Sequence, residues 1–353
     1  MTFYQKLQLD PFVLKKQIHN SVSKNERQKL FFIMFLRSIF IVTFAIGFIS
    51  AIGYCFGMEN SFLAVILFCM LLSLRFVHFG YKISHSIVSL GIIFIVLFSI
   101  PLIFELENFY LKFILNLLNL LLLLFLTGKD PKMGNPGLYS FSYIFLLGTS
   151  TKLNVVQLNS RFWLLLSCFI FFSVIFFQKH RHKDMEVSIS QSIFDKGIAS
   201  MRNIWLAYYA VGTSLIILLS EVWDLPRAMW VGFAFSSIIS TFDFSSSKNR
   251  VIDRMIGVIA GSILFMVLVN FIPKDWLGII GGICLGLSAT YRFKNVFNCF
   301  GALALAFTIF AGNSAVVIRI FDNLVGVLLA VIYVFIWKFL LRCMPFDLDA
   351  LRK

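Results

Sequence analysis

A chain of 353 residues that is 59% hydrophobic and only 14% charged carries too little polar surface to enclose a soluble globule, so lipid must cover the rest. In a soluble protein a net charge of +14 would suggest a nucleic-acid partner, but here the Lys and Arg lie beside apolar segments, where they face anionic headgroups. Nucleic-acid binding is set aside on that ground.

The first 29 residues are polar and basic (Lys6, Lys15, Lys16, Lys24, Arg27, Lys29) and lack the short apolar core and small-residue cleavage site of a secretory signal. They read as a cytoplasmic segment, with an interfacial helix around Phe12 to Ile18. Runs able to cross about 30 Å of hydrocarbon then follow near 31–57, 61–77, 83–104, 109–126, 137–150, 160–178, 203–222, 226–241, 253–272, 275–291, 296–311 and 319–341, twelve spans in all. The segment 137–150 and the division of 253–291 at Pro273-Lys274-Asp275 carry that count; without them it falls to ten or eleven.

Alternate gaps collect the cations: Arg75 to Lys82, Lys129 to Lys132, Lys179 to Lys196, Lys248 to Arg254 and Arg292 to Lys294. The intervening gaps hold Glu59, Glu105 with Glu107, and Glu221 with Asp224, although Lys152, Arg227, Lys274 and Arg319 fall there too. Cations resist translocation, so this alternation predicts a multi-pass membrane protein with both termini cytoplasmic. Six cysteines without a Cys-x-x-Cys pair read as free thiols, and His180-Arg181-His182 in a basic loop reads as a topology signal before a metal site.

The run from Arg37 (Arg-Ser-Ile-Phe-Ile-Val-Thr-Phe-Ala-Ile-Gly) parallels the run from Arg202 (Arg-Asn-Ile-Trp-Leu-Ala-Tyr-Tyr-Ala-Val-Gly), Leu138 to Gly148 parallels Phe300 to Gly312, and Arg161 and Arg319 each precede the last helix of a half. The economical reading is an all-α protein of two tandem six-helix repeats, 30–178 and 202–342, joined by a basic cytoplasmic linker, 179–201, and ending in a cytoplasmic tail, 343–353. In both halves the second and fifth segments are short, a pointer to a substrate path. On or near them lie Ser142, Thr149, Trp230, Ser236, Ser240 and Thr308, with Lys112 and Asn116 on a polar stripe of the fourth segment. The competing reading of each hydroxyl is a bond to its own helix carbonyl, and of the stripe, interhelical glue. Gly257-x-x-x-Gly261 and Gly278-x-x-x-Gly282-x-x-x-Gly286 predict close helix packing in the second half.

Ionisable groups near hydrocarbon need a reason to be there. Arg319 and Asp322, three residues apart at the outer start of the last segment, read as a gate, an anion contact or an interfacial ion pair. Arg250, Asp253 and Arg254 cluster at the start of the ninth, where Arg254 reads either as a latch onto Asp243 or as a snorkelling topology charge. No metalloprotease, hydrolase-elbow or P-loop motif is present, so no catalytic, cofactor or metal residues are expected.

Residues 202–341 resemble the fusaric acid resistance (FUSC-like) membrane family, which includes aromatic-acid exporters. The resemblance rests on Arg202 opening a helix, Trp223-Asp-Leu-Pro-Arg-Ala-Met-Trp230, Arg254-Met-Ile-Gly257-x-x-x-Gly261, and Arg319-x-x-Asp322-x-x-x-Gly326-x-x-x-Ala330; the first half matches more faintly through Arg37, Ser86 to Gly91 and Arg161. It implies an inner-membrane efflux component of a bacterial cell, exporting small amphipathic organic anions under the membrane potential or a proton gradient. Larger members of that family carry a cytoplasmic domain where this chain has only Lys179 to Ser200, which puts any mechanism needing that domain in doubt. The alternative is a non-transporting scaffold or accessory subunit of an envelope-assembly or secretion complex. The partners implied are membrane lipid and a small organic anion, with a homo-oligomer or an envelope-complex protein as the associations left open.

Overall fold

A computed structural model describes residues 3–21, 23–130, 134–183, 185–194, 200–242, 247–310 and 312–343, and among them every regular element is helical. Two short N-terminal helices, α1 (Phe3–Leu7) and α2 (Pro11–Asn20), precede α3 (Lys24–Phe56), α4 (Ser61–Leu74), α5 (Ile83–Phe104), α6 (Phe109–Thr127), α7 (Asn135–Thr149) and α8 (Val155–His180). The short α9 (Ile189–Phe194) lies in the linker. Then come α10 (Met201–Val222), α11 (Ala228–Ile239), α12 (Ser247–Leu268), α13 (Lys274–Leu287), α14 (Tyr291–Ala306) and α15 (Gly312–Cys343).

A helix therefore occupies each of the twelve apolar segments, but seven (α3, α5, α6, α8, α10, α12 and α15) are long and apolar enough to cross a membrane. The others run from 12 residues in α11 to 16 in α14, which at 1.5 Å per residue gives about 18 to 24 Å, short of a full hydrocarbon layer. Among the described residues, length and composition thus supply seven candidate spans, fewer than the twelve expected.

Several helices begin before their apolar run because a polar residue caps them. Asn154 and Gln157 form a reciprocal capping box that starts α8 at Val155, and Ser200 caps α10. Arg161 and Arg319 both lie inside their helices, six and seven residues after the first, and not ahead of them as the repeat reading had it. Arg37 is thirteen residues into α3, whereas Arg202 is the second residue of α10, where its guanidinium donates to the carbonyls of Ser192 (2.5 Å) and Ile193 (3.0 Å). Those two arginines, matched in sequence, occupy different depths of their helices.

The chain divides into two compact units, Met1–Gly47 with Lys248–Leu324, and Phe48–Ser247 with Val325–Lys353, so α3 and α15 are each shared between them. In the first unit Gly257 and Gly261 of α12 let its backbone approach α14: a Cβ at either would lie under 3.0 Å from backbone atoms of Arg292 or Val296. The glycines of α13 serve two neighbours, Gly281 facing Phe300 of α14, and Gly282 and Gly286 facing Val42 and Ser38 of α3. Leu14 of α2 is buried with Leu30 and Met34, which docks the N-terminal segment on α3.

The second unit packs through aromatic and aliphatic bulk instead. Phe94 meets Phe172 edge-on at 5.8 Å, joining α5 to α8, and Phe141 stacks on Phe233 at 4.4 Å, joining α7 to α11. Tyr81, in the turn between α4 and α5, donates its hydroxyl to the carbonyl of Leu126 (2.6 Å) and pairs with Ser89 (2.7 Å). Burial pushes the Tyr81 phenol up from its ordinary value.

Candidate functional site

In the first unit, charged and amide side chains from three helices meet in the interior. Arg254 of α12 is 4% exposed, Arg319 of α15 1%, and Asp322 and Asn323 of α15 0%. Arg254 donates from Nη1 to Asn295 Oδ1 (3.2 Å) on α14 and from Nη2 to Asn323 Oδ1 (2.7 Å). Asn323 in turn donates to the carbonyl of Arg319 (2.7 Å), which fixes the orientation of its amide. Arg319 hydrogen-bonds Cys299 and interacts electrostatically with Arg254 and Asp322. Ser262, two turns along α12 from Arg254, donates to Cys299 Sγ (3.8 Å), closing the set.

Helical periodicity explains the convergence. Arg254 and Ser262 are eight residues apart on one face of α12, Asn295 and Cys299 four apart on α14, and Arg319, Asp322 and Asn323 stand at i, i+3 and i+4 on α15. The close approach at Gly257 and Gly261 brings the α12 face against α14. Among the described residues the cluster brings two guanidinium groups and one carboxylate together in a low-dielectric setting, where each charge acts more strongly than it would in water.

The expected gating residues separate. Arg254, Arg319 and Asp322 come together; Asp253 does not join them but pairs with Arg292 on the surface, Nη2 to Oδ1 at 2.7 Å. Asp243, the proposed partner of Arg254, lies outside the described residues. Arg319 and Asp322 lie within α15, Asp322 ten residues past Gly312, about 15 Å along the helix. Asn295, Asn323, Cys299 and Ser262 were missed in the sequence, although Asn323 stands one turn from Arg319 in an apolar run, a readable signal.

The second unit holds most of the expected path residues. Ser142 and Thr149 donate to Leu138 and Phe145 of their own helix (both 2.8 Å), and Ser240 to Ser237 (3.1 Å). In the first unit Thr308 donates to Leu305 (2.6 Å). These four behave as helix-satisfied hydroxyls. Ser236 instead bonds Tyr209 (2.7 Å) and Ser140 (3.3 Å), tying α11 to α10 and α7. Asn116 accepts from Tyr143 (2.7 Å), Lys112 forms an ion pair with Glu221, and Trp230 is buried with the Arg227 guanidinium 5.6 Å above its ring. The α6 stripe is thus interhelical, with Lys112 also lining a cavity of about 280 Å³ against Glu221, Asp224 and Arg227.

Residues 215–333 match the family described as fusaric acid resistance protein-like, about a third of the chain and the part that contributes every member of the buried cluster. No curated protein and no solved structure matches the chain. The apolar helices and this match together point to a multi-pass, transport-related membrane protein whose residues 215–333 are similar to the fusaric acid resistance protein-like family.

Proposed function

We propose that the protein exports small amphipathic organic anions, aromatic carboxylates among them, from the cytoplasm across a bacterial inner membrane. The observation that carries this reading is the buried pair Arg254 and Arg319, with Asp322 beside them. Ionisable groups in a membrane-embedded interior cost about 2.5 to 3.5 kcal/mol each on insertion scales, so two guanidinium groups there are retained for a task, and contacting an anion is a task that guanidinium chemistry suits. With the cell interior negative, an outgoing monovalent anion gains about 2.3 kcal/mol per 100 mV, which supplies a driving force without ATP. Asp322 is the buried carboxylate that a proton-coupled version would use.

The frame for this activity is a twelve-helix chain in two tandem six-helix repeats with both ends cytoplasmic. In support of it, helices stand at all twelve segments, Arg161 and Arg319 sit at nearly the same position of the sixth helix of each half, and both are buried. The second and fifth helices, α4 and α7, then α11 and α14, are short in both halves; α13 is short as well, which breaks the parallel.

The test is flux from proteoliposomes with an imposed potential and a panel of aromatic acids. Wild-type protein should move at least one member in a potential-dependent way, Arg254→Gln and Arg319→Gln should slow it at least tenfold, and Asp253→Asn should not. Repeating the assay with a pH gradient at zero potential separates proton coupling, which Asp322→Asn should abolish. No flux for any acid, or full flux in Arg319→Gln, overturns the reading.

A further inference from the structure

The cavity in the second unit has a chemistry unlike that of the buried cluster. Its lining carries two cations, Lys112 and Arg227, and two carboxylates, Glu221 and Asp224, while Phe104, Ile144, Leu147, Ile217 and Met229 supply apolar surface. In a chain of net charge +14 this balance is local and specific: the four groups sum to zero. At about 280 Å³ the space is near the lower limit of small-molecule pockets.

The charges are held in place. Lys112 is bonded to Glu221 across α6 and α10, with its ammonium 6.0 Å from the centre of the Phe104 ring. Beyond α10 the chain turns tightly: Asp224 N–H donates to Glu221 (3.0 Å), Leu225 N–H to Ser220 (3.1 Å), and Asp224 takes the left-handed φ of 46°. Among the described residues it is the single non-glycine position with positive φ, a conformation that costs about 1 kcal/mol or more for a residue with a Cβ. Arg227 is steadied over Trp230. Strain and turn hydrogen bonds thus fix a carboxylate and a guanidinium three residues apart in the lining of a largely apolar space.

We propose that this cavity is a binding site for a zwitterion with an apolar body: an ammonium group received by Glu221 and Asp224, an anionic group by Lys112 and Arg227, and the apolar part against Phe104, Ile217 and Met229. A simple carboxylate meets two acids there and a simple amine meets two bases, so each loses in repulsion what it gains in attraction; only a ligand carrying both charges satisfies both sides. An amino acid with a large apolar side chain has this chemistry, and so does the headgroup of phosphatidylethanolamine.

The experiment uses full-length protein in phosphatidylglycerol nanodiscs and three probes that differ in charge alone, phenylalanine, 3-phenylpropionate and phenethylamine, titrated by calorimetry. Phenylalanine should bind at least tenfold tighter than either singly charged analogue, and Glu221→Gln, Arg227→Gln and the cavity-filling Ile217→Trp should each remove that binding while keeping the ligand-free thermal midpoint within a few degrees. The same titration in phosphatidylethanolamine nanodiscs distinguishes the sources. Unchanged phenylalanine binding assigns the site to a free zwitterion; loss of it, with phosphatidylethanolamine retained in native mass spectra of wild type and not of Arg227→Gln, assigns it to the lipid. Equal affinity for all three probes, or absence of both phenylalanine and retained lipid, overturns the inference. Binding is read without flux, so its outcome is separate from that of the anion-export test.

Discussion

Asn323 shows how one side chain can organise a charged interior. Its amide oxygen accepts from Arg254 while its nitrogen donates to the Arg319 carbonyl, so both arginine-bearing helices depend on it. Replacing it with Ala removes an acceptor from a buried guanidinium, and hydrogen bonds to charged groups contribute about 1.5 to 3 kcal/mol. The expected outcome for Asn323→Ala is a drop in thermal stability of that order together with slowed anion flux. Ser236→Ala is the contrast: it deletes bonds to Tyr209 and Ser140, and interhelical bonds of this type average about 0.6 kcal/mol. Flux at the wild-type rate with a small fall in unfolding midpoint is expected, checked by the liposome assay and a thermal melt of one preparation. At this scale the sequence was partly legible. Arg254, Arg319 and Asp322 stood out because charge in an apolar run is rare, whereas Asn295 and Cys299 did not, since a lone polar residue acquires meaning only when another helix brings it a partner. His180 was read as a topology charge, yet it is buried with Nε2 2.8 Å from the Leu74 carbonyl; nothing local to the Lys179 to Lys183 string distinguishes it.

At the scale of the helix, the glycine pattern was the most readable packing signal. Gly257 and Gly261 meet the α14 backbone, and Gly282 and Gly286 meet α3, as small-residue spacing in a membrane helix predicts. Adding side-chain volume at Gly261 must push α14 away, and overpacking costs about 1 to 3 kcal/mol. Gly261→Val is therefore expected to lower the unfolding midpoint and, by separating Arg254 from Asn295, to reduce flux as well; an alanine at Gly301, where nothing lies within 4 Å, should do neither. Helix starts were less legible than helix centres. Asn154 with Gln157 is a readable capping signature, but hydropathy alone placed the boundary near residue 160, five residues after α8 begins at Val155.

For the molecule as a whole, composition alone was enough to identify a membrane protein of helices, because so few charged residues leave no alternative covering. The number of crossings was not equally legible: an apolar run of twelve to sixteen residues reads the same whether it spans, enters partway or packs inside a bundle. Nor was the grouping of helices, since the units Met1–Gly47 with Lys248–Leu324 and Phe48–Ser247 with Val325–Lys353 do not follow the two sequence halves. Cation-rich gaps do predict sidedness. Single cysteines introduced at Lys179, Lys248 and Lys294 should all react with a membrane-impermeant maleimide from the cytoplasmic face of inverted vesicles, and one at Glu107 from the opposite face. Labelling of Lys179 and Lys248 from opposite faces would remove the even-numbered topology on which the export direction depends.

The amide of Asn323 also makes the ionic preference of the interior editable by a single atom. Exchanging its nitrogen for oxygen, as Asn323→Asp does, would place a further carboxylate beside the guanidinium groups and lower the formal charge of the cluster by one, while the lost N–H would release the Arg319 carbonyl. A permeation route tuned to carboxylates would then discriminate poorly between an acid and its uncharged amide, and the ratio of their transport rates would report, substitution by substitution, how many elementary charges the pathway presents to its cargo.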